Sequence, residues 1–183
     1  VRQLFKITIT AILIAVTASC LAAIAYGHTN GASSQLDAYT GQGIEVENAS
    51  AETLPKATFY GNAIGSIITG DLFIINTANI TQDISVNLYL TNIDQLTHSL
   101  KYLNLIVVIY YETVAENWER ALLADGTPLP LLLLTMNNGA VSFNLPGIAR
   151  YKISIKSGCF KSHPFTIDQE NAIPHFYLET EFI

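Results

Sequence analysis

A run of period-two alternation over residues 84–91 constrains this chain more than any other feature. Ile84, Val86, Leu88 and Leu90 alternate with Ser85, Asn87, Tyr89 and Thr91. Successive side chains of a strand point to opposite faces, so this spacing predicts one face in a core and one toward water. Tyr151, Ile153 and Ile155 alternate in the same way with Lys152, Ser154 and Lys156, and residues 141–145 repeat the pattern on a smaller scale. Residues 103–111 are nearly solid with apolar, β-branched types, which predicts a strand covered on both faces. Residues 72–75, 131–135 and 176–182 complete the expected set.

The breaks between these runs carry turn chemistry. Asp125-Gly126-Thr127-Pro128 and Asn137-Asn138-Gly139 are turns, and Leu145-Pro146-Gly147 ends a strand. His163-Pro164 and Ile173-Pro174 punctuate the tail. A short helix is expected over 93–102, with Ile93, Leu96 and Leu100 on one face. A second is expected over 114–123, where Thr113 and Glu116 have capping-box spacing, although the Asp125-Gly126 turn argues for a hairpin there. Seven or more short strands at this spacing predict an all-β fold, an antiparallel β-sandwich or jelly roll, with one or two short helices and an extended N-terminal arm.

The front of the chain reads differently. Arg2 and Lys6 precede an uncharged run over 7–23, and Ala23-Ile24-Ala25 offers small residues at alternate positions. That is the layout of an export signal, expected over 1–25. An uncleaved membrane anchor, a lipoprotein site at Cys20 and a pilin-type signal are the rivals. After cleavage Cys159 stands alone, so stability must come from packing or assembly rather than from disulfides. The expected location is extracellular, at the cell surface, with no membrane contact once the signal is gone.

Residues 26–56 form the arm, rich in Gly, Ser, Asn and Thr, ahead of a sandwich domain at 57–183. Two pieces of the arm have strand character, 36–40 and 44–47. They read either as parts of a flexible leader or as a strand that pairs beyond its own domain. Without Arg2 and Lys6 the chain holds 15 acids against 7 bases, a formal charge of −8. Such a surface repels phosphates, so no nucleic-acid partner is expected.

Chemistry-bearing motifs are few. The chain has no phosphate-binding Gly-rich loop, no HExxH and no GxSxG elbow, so an enzyme is not expected. Cys159 and His163 are four apart but lack the partners of a zinc site or a catalytic pair, and a buried thiol beside a loop histidine is the plainer expectation. Glu45 and Glu47 are two apart on an expected strand, as are Glu179 and Glu181. Paired carboxylates on one face either stay solvated or hold a cation such as calcium, which takes six to eight oxygens. Asn48-Ala49-Ser50 and Asn79-Ile80-Thr81 are glycosylation acceptors.

The stretch Val86-Asn87-Leu88-Tyr89-Leu90-Thr91-Asn92, then Gln95-Leu96, Leu100-Lys101-Tyr102-Leu103 and Tyr111-Glu112-Thr113, resembles the cannula subunits of hyperthermophilic archaea. Leu36-Asp37-Ala38-Tyr39-Thr40-Gly41 echoes it in the arm. These proteins build hollow extracellular tubules. The resemblance implies a β-sandwich subunit that polymerises by donor-strand exchange, with calcium promoting assembly. It makes Asp83 and Glu112 the first cation candidates, ahead of Glu45, Glu47, Glu179 and Glu181. The arm residues Leu36, Ala38 and Tyr39 would fill pockets of a neighbour, since an open sheet edge is a template for another strand. Such contacts are heterologous and propagate into a helical homo-oligomeric polymer. The alternative is a monomeric secreted or cell-surface sandwich that binds sugar or protein.

Overall fold

The structure, a computed structural model, describes residues 36–40, 44–50, 54, 57–60, 64–67, 70–115, 117–123, 125–163 and 173–183. The expected export segment at 1–25 lies outside the described residues. Among the described residues, twelve strands and one short helix occur in the order β1 (Leu36–Thr40), β2 (Glu45–Asn48), β3 (Ala57–Tyr60), β4 (Ile64–Ile67), β5 (Gly70–Asn76), β6 (Ile84–Leu90), α1 (Ile93–Ser99), β7 (Leu100–Val114), β8 (Asn117–Arg120), β9 (Leu132–Thr135), β10 (Ala140–Leu145), β11 (Arg150–Ser162) and β12 (Phe176–Phe182). They make two sheets, and the fold is an all-β sandwich.

The small sheet has the order β1-β12-β6-β10. Its register follows from the alternation of β6. Leu90, Leu88 and Val86 face Phe176, Leu178 and Thr180 of β12, while Leu88, Val86 and Ile84 face Val141, Phe143 and Leu145 of β10. All of the β6 and β12 members of this set are fully or almost fully buried. A slip of one residue would turn the whole set into water, at about 1.5–3 kcal/mol for each large apolar side chain, so the pairing is fixed.

The large sheet is organised around β11 and β7, which pair along most of their lengths. β11 meets β5 with its first half and β4 with its second. β7 meets β8 near its end and β9 near its middle. Ile153, Ile155 and Phe160 of β11 and Leu103, Leu105, Val107 and Ile109 of β7 supply this side of the core. Three irregularities mark β11, one against β5 between Ile153 and Ser154 and two against β7, between Ile155 and Ser157 and between Lys161 and Ser162.

Three expectations are corrected. No second helix forms among the described residues of 114–123, where Asn117–Arg120 is strand β8. The Thr113 hydroxyl donates to the Asn117 carbonyl at 3.3 Å and accepts from the Asn117 amide at 3.1 Å. The polar residues thus close a turn between β7 and β8 instead of capping a helix. The first helix stops at Ser99, because Leu100 is already extended and pairs with β11. Cys159 is exposed, not a buried thiol.

The arm enters the sandwich. β1 lies parallel to β12 at the edge of the small sheet, with Leu36 opposite Phe176 and Ala38 opposite Leu178. Both side chains pack against the core. β2 is antiparallel to β5 at the edge of the large sheet, with Val46 turned to the core. The residues expected to be donated to a neighbour, Leu36, Ala38 and Tyr39, therefore complete the chain's own sheet. The physical reason is that two apolar side chains at i and i+2 are enough to dock an edge strand once an unpaired backbone edge lies beside them.

A tyrosine and carboxylate face on the small sheet

The alternation that buries Ile84, Val86, Leu88 and Leu90 turns the intervening residues outward. Register then aligns them in rows across the small sheet. One row runs Asp37, Tyr177, Tyr89, Ala140, and the next runs Tyr39, Glu179, Asn87, Ser142. Glu181, Ser85 and Asn144 follow in a third. Directly opposed side chains of neighbouring strands are within contact reach, so these rows form one continuous surface.

The surface is knitted together by its own polar groups. The Tyr89 hydroxyl donates to Glu179 Oε2 at 3.0 Å. The Ser142 hydroxyl donates to Asn87 Oδ1 at 2.6 Å. The rings of Tyr89 and Tyr177 are tilted, with centroids 6.1 Å apart, within the range of favourable aromatic pairs. Tyr39 is 59% exposed, and Tyr89, Tyr177 and Glu179 are half-buried. The hydrogen bond to Glu179, then burial, raises the Tyr89 phenol above its ordinary range. Burial, then the charges of Glu179 and Asp37, raises that of Tyr177. Both stay protonated hydrogen-bond donors at neutral pH. Among the described residues of these rows there are three carboxylates and no Lys or Arg.

The structure scatters the other carboxylates singled out in the sequence. Glu45 and Glu47 are exposed on β2, and the Asn76 amide donates to Glu45 Oε2 at 2.9 Å. Glu112 is held by Arg150, whose Nη1 donates to its two oxygens at 3.2 and 3.0 Å. Asp83 lies just ahead of β6, where its carbonyl accepts from Ile183 N at 3.0 Å. Its charge adds to the burial that pushes the Tyr151 phenol up to about 12. Glu179 and Glu181 share the small-sheet face. No group of three or more His, Cys, Asp or Glu gathers as a metal cage among the described residues. Asn48 and Asn79, the glycosylation acceptors, are both exposed.

Sequence reasoning passed over Tyr89, Tyr177, Asn87 and Ser142 as plain solvent-facing residues. The signal was present as aromatic and amide side chains in the outward phase of alternating strands.

No family model matches the sequence, and no curated protein matches it. Among solved structures, the chain is similar to TmCBM61 in complex with beta-1,4-galactotriose, at 10% identity and TM-score 0.27, covering 75% of this chain and 82% of that one. It is similar to accessory secretory protein 1,2 and 3 of Streptococcus pneumoniae at 9% identity and TM-score 0.26, covering 74% and 95%. It is also similar to a GH30 endoxylanase from Clostridium papyrosolvens at 12% identity and TM-score 0.24, covering 63% of this chain but only 24% of the xylanase. Likeness this low carries no argument about function. Among the described residues, no helix is long and apolar enough to cross a membrane.

Proposed function

We propose that this chain is a non-catalytic, secreted or cell-surface binding module that holds a neutral sugar chain across the outer face of its small sheet. The observation that carries this is the placement of Tyr39, Tyr89 and Tyr177 beside Glu179, Asn87 and Ser142 on one open face. Aromatic rings offer apolar area to the C–H faces of pyranose rings. Carboxylate, amide and hydroxyl groups set at fixed register offer hydrogen bonds to sugar hydroxyls and fix orientation. Three carboxylates without a base in these rows disfavour an anionic ligand. Titration calorimetry with neutral glucose-, galactose- and xylose-based oligosaccharides tests the reading. One of them is expected to bind, and Tyr177→Ala is expected to weaken it about tenfold or more, the loss of one stacked ring. Binding unchanged by that substitution, or no binding across the panel, rejects the site.

A second reading, the self-assembling subunit of an extracellular tubule or filament, is favoured by one observation. Among the described residues the small sheet ends in two free edges, β1 and β10. Edges on opposite sides of one sheet are able to join copies head to tail without closing. Exchange of β1 between copies would first require its release from β12. Sedimentation of the full chain, with and without calcium, checks this. Polymers that vanish on deletion of residues 36–40 support it, and a monomer at every concentration sinks it.

A further inference from the structure

The outer face of the large sheet holds a concavity whose charge is opposite to that of the small-sheet face. β5 ends against Ile155 of β11 at Gly70, and β4 takes over from Gly158. Between those points, Lys156 and Ser157 have no strand partner on that side among the described residues. On the other side, the pairing with β7 steps from Ile155 to Ser157, so Lys156 is the extra residue of a β-bulge. Bulges re-aim side chains and recur beside binding sites. An open cavity of about 360 Å³ sits here, lined by Gly70, Asp71, Tyr110, Lys152, Ser154 and Lys156 among others.

The charges within it do not cancel. Lys152 lies 3.4 Å from Asp71 and stands over the rings of Trp118 at 4.9 Å and Tyr110 at 5.7 Å. The Ser154 hydroxyl donates to Asp71 Oδ1 at 2.6 Å. Lys156 is exposed and has no ion-pair or hydrogen-bond partner among the described residues. Two ammonium groups against one carboxylate leave a single surplus positive charge beside an aromatic wall.

We infer that this cavity is a second binding site, for one carboxylate or sulfate group carried on a sugar ring. Lys156 meets the anion, Tyr110 offers its ring to the sugar's apolar face, and Asp71, steadied by the buried Ser154 hydroxyl, meets a sugar hydroxyl. A bare inorganic anion would use only the lysine and leave the aromatic wall idle. The site is separate from the small-sheet face and does not depend on it.

Calorimetry on the full chain tests this with an oligogalacturonate trimer, a chondroitin sulfate hexasaccharide and inorganic sulfate. At least one of the two acidic sugars is expected to bind, more weakly as salt rises toward about 0.3 M, because an exposed charge contact is screened. Lys156→Gln is expected to weaken it about tenfold, the scale of one charge-assisted contact, with no change in melting temperature. Tyr110→Ala weakens it as well, and Tyr177→Ala, on the other face, leaves it unchanged. The inference is overturned if neither acidic sugar binds at millimolar concentration, or if Lys156→Gln binds as wild type does. Inorganic sulfate binding as tightly as the acidic sugars, or equal loss in Tyr177→Ala, overturns it too.

Discussion

The outward faces of the two sheets share a vocabulary of aromatic and charged residues and arrange it differently. On the large sheet, cations are interleaved with rings and acids: Arg150 lies 5.8 Å from the Trp118 centroid and pairs with Glu112, and Lys152 sits between Asp71, Trp118 and Tyr110. On the small sheet, the rows hold tyrosines, acids, amides and hydroxyls with one alanine, Ala140, and no base, and Glu179 takes its hydrogen bond from a neutral phenol. The first arrangement holds itself together by charge, except at Lys156, whose ammonium has no counter-charge among the described residues. The second keeps its acids without counter-charges and presents them together with open rings. Groups that neighbouring charges have not neutralised are the ones with bonding capacity left for a ligand.

That contrast predicts unequal costs for equivalent deletions. Glu112→Ala strands Arg150, whose side chain is 35% exposed, and is expected to lower stability by about 1–2 kcal/mol, less than for a fully buried pair. Chemical denaturation measures it, and a loss below the noise would erase the distinction between the faces. Beneath the small sheet, the Thr180 hydroxyl is fully buried with no hydrogen-bond partner among the described residues. Thr180→Val is expected to raise stability by about 1 kcal/mol, since an unsatisfied polar group is replaced by an apolar one of the same shape. Glu179→Ala leaves no cation behind and is expected to stay within about 0.5 kcal/mol of wild type while binding is lost.

The core between the faces has its own alkaline signature. Tyr151 donates to the Pro146 carbonyl at 3.0 Å, and its folded pKa of about 12 lies above the ordinary 10. The unfolded chain therefore loses this proton first as pH rises. The associated stability is fully present below pH 10 and falls away between pH 10 and about 12. Tyr151→Phe is expected to flatten that decline in a denaturation series, and an unchanged slope would contradict the burial argument.

Much of the sandwich was legible because alternation is a local property. β1 and β12 fall where the pattern put them, and β6 carries its face assignment unaided. The second half of β11 was not legible, because the bulge at Lys156 breaks the alternation that announces its first half. β8 was obscured by Thr113 and Glu116, whose spacing suits a helix start, whereas Thr113 closes a strand turn. The paired acids were visible as local doublets. The meeting of Tyr89 with Tyr177 and of Asn87 with Ser142 was not, because it depends on register between strands far apart in the chain. The same limit governed the leader strand: its strand character could be read, but not which edge it would fill.

The central claim is that neutral sugar lies across the tyrosine rows of the small sheet. A nuclear magnetic resonance titration of the full chain with the neutral oligosaccharide series addresses it most directly. The account predicts saturable amide shift changes centred on Tyr39, Asn87, Tyr89, Tyr177 and Glu179, with β7 and β11 silent. Changes centred on β7 and β11, or none that saturate, would contradict it.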